Sequence, residues 1–390
     1  MTAVDLKAIP VVDNHCHALE SEHPDGVADW RSRFSESPDL RMRTVDAADT
    51  AFYRRLVHAM AAYHGVPDRD DAEMAVLAAR GALGVTQLAA ALFDDAHVAG
   101  LVVDTGYPEH GKALSRDQLV LATGSQQVDL LRLELLFQEV VAAQPTVNDA
   151  AQALRATLED VRGAGYVGFK SIAGYRTGLS IERWDFDAVE AAYAQARNEV
   201  ERTGAVRLGH KPILDTLLHV ALDIAGQQEL PVQFHVGYGD PDADLRNASP
   251  LELRAVLENP AYRRVPIVLL HGCWPYFREG AFLAAVYGNV YLDLSYGIPF
   301  LSVAEMTSVT RSALGAVPFS KLMYSSDGAR VPELHWLGAR EGRRILGAVL
   351  GELITDRELD SREAEHVAQR ILADNAWQLY GFAGLLPKEH

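Results

Sequence analysis

Residues 11–17 read Val11-Val12-Asp13-Asn14-His15-Cys16-His17, a short apolar run that closes on two histidines one residue apart. Side chains at i and i+2 of a strand leave the same face. A strand over 9–17 therefore points His15 and His17 the same way, as two imidazoles must to hold one metal ion. Pro10 suits the start of such a strand, where a missing N–H does least harm. Two half-buried structural histidines would look the same, so the reading turns on the rest of the chain.

Seven more short runs rich in apolar, β-branched and aromatic residues follow, at 97–105, 130–137, 166–172, 230–236, 265–271, 289–295 and 322–326. Three close on a metal-capable residue: His235 in Gln-Phe-His-Val-Gly, His271 in Leu-Leu-His-Gly and Asp327 in Tyr-Ser-Ser-Asp-Gly. Helical patterns rich in Ala, Leu, Glu and Arg lie between most of them, at 149–162, 186–202, 213–225, 250–258 and 340–354. Eight alternations of strand and helix predict an α/β fold, the (β/α)8 TIM barrel. There the strand ends meet at one mouth, which carries the active site. His15, His17, His235, His271 and Asp327 would converge on it although they are far apart in the chain.

These strings resemble the amidohydrolase superfamily of metal-dependent barrel enzymes, and within it the branch related to aminocarboxymuconate-semialdehyde decarboxylase. The nearest likeness is to the amidohydrolase-like domain fused to glutamine-synthetase-like proteins in fungi and plants. It rests on Arg-Leu-Glu (132–134), Gly-Phe-Lys-Ser-Ile-Ala-Gly-Tyr-Arg-Thr-Gly-Leu (168–179) and Leu-Pro-Val-Gln-Phe-His-Val-Gly-Tyr-Gly-Asp (230–240). Leu-Leu-His-Gly (269–272), Tyr-Ser-Ser-Asp-Gly (324–328) and Ile-Leu-Ala-Asp-Asn-Ala (371–376) extend it along nearly the whole chain. The sequence carries no glutamine-synthetase-like half, so functions that depend on the fusion are not expected of it.

A chain of 390 residues exceeds a minimal barrel, but barrels commonly carry insertions. The expectation is a single barrel domain over 1–390 with a helical cap inserted at 20–95, its helices at 45–63 and 70–82 broken by Pro67. The formal net charge of −17 argues against nucleic acid and anionic membranes, which select basic patches. The N-terminus lacks an apolar stretch long enough for a signal peptide or membrane span. Two cysteines, Cys16 and Cys273, are too few for a disulfide framework and suit a reducing cytoplasm. Cys16 is expected to pack away from the histidines, and Cys273 to line the mouth. The expected partner is a small-molecule substrate, with a homodimer the assembly left open.

Histidines with an aspartate form a borderline-soft ligand set that favours Zn2+, one or two ions, with Mn, Fe or Co as alternative occupants. Magnesium and calcium prefer all-oxygen shells. The expected ligands are His15, His17, His235 and Asp327. Asp327 also suits proton acceptance from water, and His271 suits polarising a substrate carbonyl, holding the water or binding a second ion. Lys170, at the end of the fourth strand, has three readings. In some members of the superfamily this lysine is carboxylated and bridges two metals; it also reads as a cation for a substrate carboxylate, or as the ion-pair partner of Glu134. Glu134 and Arg132 are expected on one face of the third strand. Arg176 offers bidentate grip on a carboxylate, and Tyr175, Trp274, Asp240 and Tyr296 are candidate pocket walls. His335 follows the eighth strand and is a candidate for the mouth; His210 reads as a helix start. His23, His58, His64, His97, His110 and His219 show no interpretable spacing.

The leading function is hydrolysis of a carbon–nitrogen, amide-type bond, and the resemblance to the fused amidohydrolase-like domain implies a small polar substrate, a γ-glutamyl amide being one candidate. The rival is non-oxidative decarboxylation of an aromatic or unsaturated acid on the same residues. Lactone hydrolysis or uronate-type isomerisation come third. A catalytically silent barrel with a regulatory or binding role is the alternative of another class.

Overall fold

The His-x-His run forms the first of eight parallel strands in the computed structural model, which describes residues 3–67, 71–108 and 111–384. They are β1 (Val11–Cys16), β2 (Val98–Asp104), β3 (Gln126–Arg132), β4 (Tyr166–Ser171), β5 (Val232–Phe234), β6 (Ile267–Leu269), β7 (Val290–Ser295) and β8 (Leu322–Ser325). They make one sheet in chain order. The sheet returns on itself, because β8 runs beside β1. The Asp327 N–H donates to the His15 carbonyl (3.1 Å), His17 N–H to Gly328 (2.8 Å) and Arg330 N–H to Ala18 (3.0 Å). This is the (β/α)8 barrel with a helical insertion after its first strand. The strands read as apolar runs because parallel strands are covered on both faces; every residue of β1, β5, β6 and β8 is buried.

By packing, the described chain falls into two compact units. One draws on the chain up to Gln127, on Leu294–Gly315 and on residues from Leu322 onward; the other on Val128–Asp293 and Ala316–Lys321. In the second unit Phe169, Val232, Ile267 and Val290 lie in register across four strands, so the ends of β4, β5 and β6 are reached in step.

The insertion belongs to the first unit and consists of helices Gly26–Ser32, Leu40–Thr44, Ala51–His64, Ala72–Gly81 and Val85–Asp95. The helix expected over 45–63 starts later, because extended Thr50 caps it by accepting the Tyr53 N–H (3.1 Å). That expected over 70–82 is found as Ala72–Gly81; Asp70, like His110, lies outside the described residues. A buried clasp ties the insertion to the long helix Pro332–Thr355. Arg80 donates to Glu333 (2.7 Å), lies over the Trp30 ring (4.5 Å to its centre) and meets His23 Nδ1 at 3.2 Å. No single helix among the described residues is long and apolar enough to cross a membrane.

Two expectations fail locally. The run at 130–137 is not one strand: β3 ends at Arg132 and Leu133–Ala143 is helix. Leu133, Phe137, Val140 and Val141 recur at helical spacing on a buried face, and that period wins over a short apolar run. Glu134 therefore sits in the first turn of a helix, not on a strand face with Arg132. It is fully buried and accepts from Ser171 Oγ (2.7 Å) and from backbone N–H groups, while its Oε2 has no hydrogen-bond partner among the described residues. These contacts fasten the turn after β4. The helix at 340–354 is the second half of Pro332–Thr355, with Pro332 in the first turn where its missing N–H is harmless.

Two outcomes are expected. Arg80→Ala strands the Glu333 carboxylate in the interior and should cost about 3–5 kcal/mol in urea unfolding; a loss below about 1 kcal/mol would contradict the clasp. Burial pushes the Glu134 carboxyl above its ordinary range, with Ser171 and backbone hydrogen bonds partly opposing. The native state then holds its proton longer than the unfolded chain. Stability relative to Glu134→Gln should be greatest below about pH 4 and fall as pH rises through the native pKa. Parallel pH dependences of the two proteins would exclude this.

Candidate active site

In the first unit the strand ends bring His15, His17 and Asp327 together, as the spacing predicted. His15 Nε2 lies 3.5 Å and His17 Nε2 3.8 Å from Asp327 Oδ1, and the two rings meet edge to face at 4.9 Å. His15 is buried, whereas the Asp327 side chain keeps 18% and His17 11% of its exposure. The cluster is therefore walled on one side and open on the other. A second carboxylate joins it: Asp104, the buried last residue of β2, lies 3.9 Å from His17 Nδ1, which also meets the Asp104 carbonyl at 3.3 Å. Ligand atoms of His15, His17 and Asp104 lie within 4.8 Å of one another. Tyr107 adds an aromatic edge 5.4 Å from His17.

In the second unit His235 and His271 face each other, with His271 Nε2 2.9 Å from His235 Nδ1. Protons on both facing nitrogens would collide, so at least one of them presents a lone pair. His235 Nε2 meets the Tyr238 carbonyl at 2.5 Å, and the Tyr175 ring packs 4.2 Å from the imidazole. His271 opens a tight turn in which His271, Gly272 and Cys273 all have positive φ (63°, 55° and 55°). Asp327 is also left-handed, at φ 52°. Such a conformation costs a non-glycine residue roughly 1–2 kcal/mol, so the surrounding structure must hold it.

The other predicted residues divide. Lys170 is buried at the end of β4, and Tyr175 and Arg176 follow in the turn over His235. Arg176 is half-buried; burial and the nearby Arg207 lower its pKa, against the pull of Glu134 and Asp242. Trp274 is half-buried and its carbonyl accepts from Tyr238 N–H (2.9 Å), while Asp240 is exposed at a turn where it accepts from Asp242 N–H. Tyr296 is no pocket wall: it is buried, stacked on Tyr324 and bonded to Thr310. His335 does not reach the mouth. It is buried in its helix beside Asp13 (3.7 Å) and Phe93. Cys273 is fully buried, which raises its thiol pKa and removes it as a nucleophile. Cys16 packs against the Val102 carbonyl, and His210 stands at the start of Lys211–Gln228. Sequence reasoning missed Asp104, although an acid closing an apolar run was a signal of the kind used for Asp327. It also missed Asp13 and Asp293, buried acids inside strands.

Imidazole nitrogens and carboxylate oxygens at this spacing, with one side open, fit a divalent transition metal. The arrangement is a metal-binding site of the amidohydrolase type. Protein fluG of Emericella nidulans is 34% identical over 221 residues, which cover 55% of this chain; the chain spans about a quarter of that protein's length (25%). A structure from Lactobacillus casei ATCC 334, provisionally described as a metal-dependent hydrolase, superposes with a TM-score of 0.83 at 26% identity, covering 97% of this chain and 98% of that one. Uronate isomerase from Thermotoga maritima shares the fold at a TM-score of 0.68 and 15% identity, over 96% of this chain and 95% of its own. The sequence profile of the amidohydrolase family matches residues 137–382, most of the chain, and with it the chain belongs to the amidohydrolase family.

Proposed function

We propose that the chain, acting as one barrel domain with residues 20–95 as its cap, is a metal-dependent hydrolase of a carbon–nitrogen bond in a small polar substrate. The observation that carries the reading is the approach of His15 and His17 to one oxygen of a partly exposed Asp327. The assigned ligands are His15, His17, His235 and Asp327, with Zn2+ the favoured ion. When bound, such an ion lowers the pKa of water from about 16 to about 7 and polarises a carbonyl. Asp327 is the group that takes the proton from water, since it alone of the assigned ligands is a carboxylate with solvent access. Asp104 fixes the ring of His17 through Nδ1, the arrangement that sets tautomer and orientation in histidine ligands. His271 orients the substrate carbonyl or the attacking water, and is the ligand assigned to a second ion where two are bound.

The substrate end is assigned to Arg176 and Arg132, which suit a carboxylate, with Tyr175, Trp274 and Asp240 as walls and Glu134 as the buried support of the turn. A γ-glutamyl amide fits this set, and the kinship with fluG supports the branch of amidohydrolase-like domains found fused to glutamine-synthetase-like proteins. Lys170 is assigned as a carbamate. Its place at the end of β4 supports this, since reaction with CO2 there would supply an anionic ligand for a second ion. A reducing, cytoplasmic setting agrees with two buried free cysteines.

Elemental analysis of protein purified without chelators should find about one or two transition-metal ions per chain. Asp327→Asn should retain most of the metal and lose at least about 100-fold in kcat on small γ-glutamyl amides, whereas His15→Ala should lose metal and activity together. Full activity without metal would exclude the mechanism. Lys170→Ala should lose one ion and activity, and regain part of both with added small carboxylic acids. Unchanged metal with only a raised KM would assign Lys170 to substrate binding instead.

A further inference from the structure

Two buried aspartates are not used by the mechanism above, and both do the same thing. Asp293 lies one residue past Leu292, which pairs with Leu269 of β6, so it stands opposite the residues leaving that strand. Its Oδ1 accepts the N–H groups of His271 (2.5 Å) and Gly272 (3.3 Å). Successive N–H groups aimed at one anion form a nest, and here the nest binds the protein's own carboxylate. It lies at the start of the left-handed run His271–Cys273. Asp13 repeats the device in the other unit. Its Oδ1 accepts the Ser326 N–H (2.8 Å) and its Oδ2 the Ser326 hydroxyl (2.5 Å), while Ser326 Oγ accepts the Gly328 N–H (2.7 Å). Between Ser326 and Gly328 sits the left-handed Asp327. In each case a strand carboxylate grips the backbone beside a candidate ligand.

We infer that Asp293 and Asp13 are positioning residues of the metal centre: each holds a left-handed turn, and so fixes where His271 and Asp327 present their ligand atoms. The inference rests on the metal reading above. Asp293 accepts both of its N–H bonds through one oxygen, and Asp13 takes the Ser326 N–H through one, so an amide oxygen can take these bonds over; at position 13 the amide nitrogen would donate to Ser326 Oγ in place of accepting its hydroxyl, whereas a methyl group can do neither.

The test uses full-length protein loaded with Co2+, reading the dissociation constant by chelator competition, the visible d–d spectrum and the melting temperature. Wild-type protein that takes up no Co2+ would overturn the metal reading itself, apart from this inference. With wild type binding, Asp293→Ala and Asp13→Ala should weaken Co2+ about 10–100-fold, the range for outer-shell changes, and alter the spectrum. Asp293→Asn and Asp13→Asn should stay within about threefold of wild type with its spectrum, showing that the acceptor and not the charge is used. Folded alanine variants with wild-type affinity and spectrum would overturn the inference. So would asparagine variants that melt like wild type yet lose Co2+ about tenfold or more, since that marks a charge effect. If the alanine variants do not fold, the asparagine variants decide on the same readings.

Discussion

The hydrogen bond from the Asp327 N–H to the His15 carbonyl is the constraint on which the account depends. It belongs to the seam where β8 returns to β1, and it sets two candidate ligands from opposite ends of the chain beside each other. Neither strand could supply the site alone. β1 offers two nitrogens on one face; β8 offers the carboxylate at which both point. Closing a barrel by backbone hydrogen bonds and assembling a polar cluster are therefore one event, and the cluster inherits the rigidity of the ladder. That rigidity matters because a ligand set is useful only when its atoms stand still before the ion arrives.

The strained backbone follows from the same constraint. A strand delivers a residue to its end, but a tight turn decides where the side chain goes. At His271 and Asp327 the turn is left-handed, a conformation that is unfavourable without a glycine and persists because surrounding groups hold it. Each of these residues is followed by a glycine, Gly272 and Gly328. At Gly328 an added Cβ would lie within 2.6 Å of the His335 ring. The buried His335, which sequence reading sent toward the mouth, serves here as packing behind the turn. Polar residues inside such a fold divide into those that face the chemistry and those that hold the backbone which does.

Much of this was legible before the structure. The eight strands could be found because parallel strands buried on both faces leave continuous apolar runs, and the ligand pair because period two puts His15 and His17 on one face. Failures came where one-dimensional pattern is ambiguous. Residues 130–137 satisfied both a short strand and the opening of a helix, and the longer helical period to Ala143 decided it. That error moved Glu134 from a strand face into a helix turn. The roles of Asp104, Asp13 and Asp293 were hidden for a different reason. Each lies within an apolar run, and only three-dimensional neighbours show whether a buried acid meets an imidazole, as Asp104 does, or the N–H groups of a turn, as Asp13 and Asp293 do.

The central claim is that a transition metal is held by the strand-end histidines and Asp327. Anomalous diffraction from crystals of metal-loaded protein, collected on both sides of the absorption edge of the ion found by elemental analysis, tests it most directly. The account predicts a strong peak within about 2.0–2.2 Å of ring nitrogens of His15 and His17 and an oxygen of Asp327. A map without a peak at these residues, from protein that is active on its substrate, would contradict it.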